Sequence, residues 1–407
     1  MKRLSITLIL YLIIGSISAQ TITVNCTVKN GYGKYLRLER KSDYVSNADE
    51  VVFADYIPVT NSIDFTFSEK ETEEYTLYVN FAKATIYLSP DVIYDIFVTV
   101  PESDPTQNPF TNIQYLNADI TSSDIDDINQ TISDFNGSYD DFLYANSGSI
   151  IRGNHAIHNK FKTSVLNGIK KYHDHFLETY IRYSFALTEL SFLSKSKQSL
   201  ANTYIFDNDI EMRNPMYMEF LMEFAKKTGF SPTAKDTKNV ELIELVSIIN
   251  IASQISAGIY SHDYAVTILE KAADAASSPN VRKICNNLLN SEMLLAAGTT
   301  FPNIEISDKD GNQVDIQSID NNVKYLFFYK SCISQNLYAL DTLENNTYLH
   351  RHHLTLIPIE ISDDAESHRK AKYHAVNTYK LHKELNIREY PFVVTIDGQG
   401  KVCTLKQ

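Results

Sequence analysis

Tyr325-Leu326-Phe327-Phe328-Tyr329-Lys330-Ser331-Cys332-Ile333-Ser334-Gln335 is the stretch on which the fold of this 407-residue chain turns. Five apolar or aromatic residues in a row read as a buried strand. A cysteine follows where a helix is expected to begin, at Ser334, running to about residue 348. On the C-terminal side, residues 354–361 read as a second strand and 365–385 as a helix. Residues 392–396 and 401–405 then form a hairpin around Asp397-Gly398. On the N-terminal side, residues 301–306 lead to Asp310-Gly311, another hairpin turn signal. The order β-α-β-α-β-β is the plan of an α/β sheet, expected over residues 298–407.

These residues carry a resemblance. The Gly298-to-Pro302 entry with Asp310-Gly311, the strand delivering Cys332 to a helix start, the segment Ile387-Arg388-Glu389-Tyr390-Pro391-Phe392-Val393-Val394 and the Asp397-Gly398 hairpin resemble the thioredoxin-like family. The likeness is to its TlpA/ResA-type envelope thiol–disulfide branch, and it covers roughly a quarter of the chain. The resemblance implies that Cys332 is the nucleophilic cysteine and Pro391 a cis-proline. A substrate strand would then pair beside Tyr390, with Ser331 and Ser334 as polar neighbours.

The departures from that family bear most on function. Members carry Trp-Cys-x-x-Cys, whereas Gln335 stands where the second, resolving cysteine belongs, and the chain has no tryptophan. Leu326 occupies the position at which many members keep a buried acid. A dithiol enzyme needs two sulfurs because its mixed disulfide is resolved internally. Ordinary thioredoxin cycling is therefore not expected. Two readings of Cys332 stay open: a monothiol whose thiolate a helix N-terminus favours, or a small hydrophobe packed in a degenerate site. Cys403 would lie on the edge strand and Cys26 and Cys285 in other regions, so none is expected to bridge Cys332. The family also closes its sheet with a last helix, which is missing after residues 401–405.

Upstream, residues 20–100 alternate at period two, as in Ile63-Asp64-Phe65-Thr66-Phe67 and Tyr75-Thr76-Leu77-Tyr78-Val79, which predicts an antiparallel β-sandwich. Pro101, Pro105 and Pro109 mark a linker over 101–117. Over 118–297 the period is helical: Phe161, Val165, Ile169, Tyr172, Phe176, Tyr180, Tyr183 and Leu187 recur at three- and four-residue steps. Gly229 after Lys226-Lys227 reads as a helix stop. The expectation is a multidomain chain: sandwich, all-α middle and α/β thioredoxin-like domain.

Lys2 and Arg3, an apolar run over 4–14 and small residues up to Ala19 describe a secretory signal peptide, with cleavage expected after Ala19. That run is too short to span a membrane. An exported protein of the periplasm or cell envelope is expected. With 37 basic against 50 acidic residues the net charge is −13, which argues against a nucleic-acid partner. From residue 300 onward 14 acidic face 12 basic residues, so most of the negative charge lies upstream. The histidines of Leu349-His350-Arg351-His352-His353 lack a companion ligand at metal-site spacing, so no metal and no cofactor is expected. The expected partner is a protein or extended peptide, bound by a scaffold module or handled as a redox client.

Overall fold

The structure is a computed structural model. It describes residues 20–79, 82–100, 115–193, 195–206, 208–320, 322–331, 334–345, 349, 354–361, 371–375, 381, 385, 387 and 390–403. The chain divides into two compact units, Met1–Ser103 with Ile113–Asn250, and Asp104–Asn112 with Ile251–Gln407.

The first unit opens with β1 (Thr21–Lys29), β2 (Tyr35–Asp43), β3 (Ala48–Tyr56), β4 (Ser62–Ser68), β5 (Glu73–Val79), β6 (Ala82–Leu88), β7 (Ile93–Thr99) and β8 (Asn117–Ser122). They form two four-stranded sheets, ordered β4-β1-β7-β8 and β3-β2-β5-β6. Alternation decides which side is buried: Ile22, Val24, Cys26 and Val28 from one sheet meet Leu36, Leu38, Tyr75, Leu77 and Val79 from the other in one core. Two expectations are corrected. The sheets are not wholly antiparallel, because β1 and β7 pair in parallel. Residues 117–122, assigned to the linker and the helical region, are a strand that pairs antiparallel with β7. Within it Ala118 and Ile120 turn inward against the core while Asp119 and Thr121 stay exposed, a short period-two pattern that the neighbouring acidic residues obscure.

The same unit continues with α1 (Ile128–Ile151), α2 (His155–Ile169), α3 (His175–Ser191), α4 (Lys197–Tyr204), α5 (Pro215–Thr228) and most of α6 (Val240–Ser256). Side chains cap their exposed N–H groups: Asp127, Asn154, Asp174, Ser196 and Asn214 each accept from the first turn of α1 to α5 in that order. Gly229 closes α5 at φ 60°, in the left-handed region that glycine enters without steric cost. An aromatic core of Phe135, Tyr139, Phe176, Tyr180 and Phe185 includes Tyr87 of β6, so helices and strands share packing. Asn129 adds a specific tie. Its carbonyl oxygen accepts from the Tyr87 N–H at 2.7 Å and its amide donates to the Tyr87 carbonyl at 2.8 Å. Arg40 and Arg213 both pair with Glu69 and Glu73, a further tie between strands and helices.

The second unit holds the packed pair α7 (His262–Ala275) and α8 (Pro279–Met293), then β9 (Ile306–Asp308), β10 (Gln313–Val314), β11 (Val323–Tyr329), α9 (Ser334–Glu344), β12 (Leu354–Glu360), β13 (Tyr373–Ala375) and β14 (Phe392–Ile396). Its six-stranded sheet runs β10-β9-β13-β12-β11-β14. β11 lies inside it, parallel to β12 and antiparallel to β14, and Leu326, Phe327, Phe328 and Tyr329 are all buried. This is why the run lacks polar alternation. Asp308 accepts from the N–H groups of Asp310 and Asn312 and so closes the first predicted hairpin. Asp397 does the same for Gln399 and Lys401 in the second. Gly400 there has φ 75°, and a Cβ would meet the Gln317 amide at 2.5 Å.

The predicted helix over 365–385 is corrected at its centre, where β13 pairs with β12 on one side and β9 on the other. The buried β12 needs a hydrogen-bonding neighbour on that edge, and this tertiary demand overrides the local helical spacing. α9 ends at Glu344, short of the expected 348, and residues 346–348 lie outside the described residues.

Candidate functional site

The C-terminal end of β11 is where the sequence reading converges. Phe328 is opposite Phe392 in the β11–β14 register, so the chain leaving β11 as Lys330-Ser331 and the chain entering β14 as Tyr390-Pro391 lie side by side. The Lys330 ammonium stands 5.1 Å from the centre of the Tyr390 ring, a cation–π contact. The Tyr390–Pro391 peptide is cis. Ser331 and Pro391 are exposed and Tyr390 is half-buried. Cys332, the candidate nucleophile, lies outside the described residues. Ser334 and Gln335 are the first two residues of α9.

Two polar residues at this end of the sheet escaped the sequence reading. Asn336, only 1% exposed, accepts from the Lys330 backbone N–H at 3.0 Å. It thereby ties the end of β11 to the first turn of α9. Asn336→Ala would remove that acceptor, at a cost of about 1 kcal/mol. The expected result is markedly faster amide hydrogen exchange at Lys330 than in the wild type. Unchanged protection would show that the tie is idle.

Glu360 is 1% exposed at the end of β12, directly across from Tyr329. Among the described residues neither of its carboxylate oxygens has a hydrogen-bond partner. Burial first, and then the nearby Glu360 and Glu344 charges, push the Tyr329 hydroxyl up to about 12. The sequence signal for Glu360 is a lone charge ending an apolar strand, which most often means an exposed strand terminus.

The cysteines elsewhere differ in environment. Cys26 and Cys285 are buried, and Cys403 is half-buried. Burial, with a smaller contribution from Asp64, pushes the Cys26 thiol up to about 12, so it is no nucleophile at neutral pH. Among the described residues no group of three or more His, Cys, Asp or Glu side chains is arranged to hold a metal ion. His350, His352 and His353 lie outside the described residues. No helix among the described residues is long and apolar enough to cross a membrane.

The first unit holds a second polar cluster. Glu189, fully buried, accepts from Lys195 at 2.5 Å and Lys162 at 3.0 Å, and Lys162 also reaches the Tyr204 hydroxyl. His158, fully buried as well, places Nδ1 3.8 Å from Glu189 and packs its ring edge-on against Phe185. These groups tie together α2, α3 and α4.

No protein-family model and no curated protein matches the chain. Solved structures do. A thioredoxin-like protein from Bacteroides caccae is similar at 12% identity and TM-score 0.33, over 55% of this chain and 88% of that one. The thioredoxin domain of a thiol-disulfide oxidoreductase from Bacteroides vulgatus is similar at 16% identity and TM-score 0.22, over 26% and 86%. A thiol:disulfide interchange protein from a Bacteroides species is similar at 17% identity and TM-score 0.23, over 27% and 80%. These three are described as a thioredoxin-like protein, a thioredoxin domain and a thiol:disulfide interchange protein.

Proposed function

We propose that residues 298–407 form a thioredoxin-like module with a degenerate active site, which holds an extended protein segment beside Tyr390 and Pro391 in the periplasm or cell envelope. The observation that carries this reading is the β11–β14 register, which sets Tyr390-Pro391 next to Lys330-Ser331 on an exposed end of the sheet. The sequence supplies one sulfur there, at Cys332, and Gln335 three positions later. A single sulfur cannot release its own mixed disulfide, so binding rather than cycling is the primary role. The basic, apolar and small-residue segments over 2–19 support export.

One observation favours a second reading. Cys332 stands two positions before the first residue of α9, where unpaired N–H groups and the helix dipole stabilise a thiolate. In that case the Cys332 thiolate attacks a client disulfide, forming a mixed disulfide and releasing the client's other sulfur as a thiolate. An external thiolate then attacks the client sulfur of the mixed disulfide, expelling Cys332 as a thiolate and leaving the client joined to the external thiol by a new disulfide.

The alkylation rate of Cys332 across pH, followed by mass spectrometry on the native chain, separates the two. A scaffold predicts an inert thiol, or one titrating near the ordinary value of about 8.5. A half-point well below pH 8, with mixed disulfides that vanish in Cys332→Ser, would replace the scaffold reading by the monothiol one. Under the scaffold reading Cys332→Ser leaves partner binding intact.

A further inference from the structure

The outward face of the β4-β1-β7-β8 sheet stands apart from the site above. Its register lays side chains in rows across four strands. Asp64, Asn25, Asp95 and Thr121 make one row, and Ser62, Thr27, Phe97 and Asp119 the next. Thr66, Thr23 and Ile93 make a third on the other side of the first. Strands lie about 4.8 Å apart, so these rows form a nearly continuous surface. The opposite side of the same strands buries Val24, Cys26, Tyr94 and Ile96, which fixes the outward assignment.

Two features of this face are unusual together. Ile93 is 49% exposed and Phe97 45%, both on the inner strand β7, with Asp95 between them on the same face. A single exposed apolar side chain would need no explanation, but a pair framed by charge does. The charges have one sign. Asp64, Asp95 and Asp119 are exposed, and among the described residues none has a cation within ion-pair reach. Asp95 accepts a 2.7 Å hydrogen bond from the Asn25 amide, and its backbone carbonyl accepts from the Thr121 hydroxyl at 3.4 Å. The one cation at an outward position of these four strands is Lys29, the last residue of β1.

From this complementarity we infer that the face docks a basic protein segment, whose lysine or arginine side chains meet Asp64, Asp95 and Asp119 while apolar ones cover Ile93 and Phe97. A second copy of the same face would bring like charges together and is disfavoured. The inference is independent of what Cys332 does.

Fluorescence anisotropy of a labelled ten-residue peptide of alternating Lys and Leu, titrated with the full chain, tests it. The triple variant Asp64→Asn, Asp95→Asn, Asp119→Asn should raise Kd about tenfold and flatten the salt dependence, since exposed pairs are individually weak and add. Phe97→Ser should weaken binding several-fold. A charge-matched control, Asp140→Asn, Asp141→Asn, Glu270→Gln, should change Kd less than about twofold. All six carboxylates are exposed, so the variants are expected to fold, which circular dichroism checks. Equal weakening by the control would reduce the effect to net charge and overturn the docking face. So would failure of the wild type to bind the peptide. Binding of cellohexaose that Phe97→Ser abolishes, with peptide binding untouched, would assign the face to sugar instead.

Discussion

Exchanging Lys162 and Lys195 together for methionine is expected to destabilise the first unit by about 3–5 kcal/mol at neutral pH, the usual cost of stranding a buried charge. Methionine keeps much of the volume but removes both cations, leaving the fully buried Glu189 without a countercharge. Adding Glu189→Leu to the double variant should restore most of the loss, because a set of apolar groups carries no desolvation cost. The pH dependence follows from the directions of the shifts. Burial raises the Glu189 carboxyl, but Lys195 and Lys162 outweigh it and hold it below the ordinary value. A group lowered on folding contributes stability above its unfolded pKa, about 4.3, and loses that contribution as pH falls. His158 is lowered chiefly by burial, against the pull of Glu189 and with Lys162 and Lys195 also opposing its charge. Its neutral folded form therefore makes the protein lose stability from about pH 6.5 downward. In the double variant, burial acts on Glu189 with both lysines gone and only the Tyr204 hydrogen bond against it, so the penalty relative to wild type should shrink as pH falls. Urea unfolding at several pH values from 5 to 8 measures all of this. A penalty below about 1 kcal/mol, or one that does not shrink in acid, contradicts the account.

The second large effect belongs to Phe185. It is fully buried in α3, and its ring lies 4.8 Å from Tyr139, 5.9 Å from Phe135 and 6.0 Å from Phe161, centre to centre. Phe185→Ala removes the shared neighbour of α1 and α2 and leaves a cavity that rigid rings cannot refill. The expected loss is about 3–5 kcal/mol. For a unit of this size that lowers the thermal midpoint by on the order of 10 °C. Phe185→Leu should recover roughly half. A loss of less than about 1.5 kcal/mol for the alanine variant would mean that the rings collapse into the space, and the packing argument would fail.

Legibility in the sequence followed the range of the interaction that decides each element. Strands such as β5 and helix stops such as Gly229 depend on neighbours in sequence and were readable from alternation and turn chemistry. β11 was readable because an uninterrupted apolar run has few other homes. β13 was not: Tyr373–Ala375 adopt strand geometry because β12 and β9 flank them, a circumstance absent from residues 365–385 themselves. β8 failed for a related reason, since its partner β7 precedes it by a proline-marked connection that read as a boundary. At the candidate site, motif alone singled out Ser331 and Pro391, and their proximity emerged only with the β11–β14 register. Asn336 and Glu360 are single polar residues whose significance is burial, and burial is not written in one residue's identity. The Glu189 cluster draws on residues 158, 162, 189, 195 and 204, and only tertiary packing could assemble it.

The parallel pairing of β1 with β7 has a consequence for how the chain comes to be ordered in time. β1 lies inside its sheet, hydrogen-bonded on one edge to β4 and on the other to a strand whose paired residues lie 70 positions later. During synthesis, this valine- and isoleucine-bearing strand is made before both of its neighbours and acquires the second only after all the intervening strands. Until β7 arrives, one edge of β1 stays open to any other extended chain. The interval before β7 is made is therefore the one in which that edge of β1 is open to aggregation.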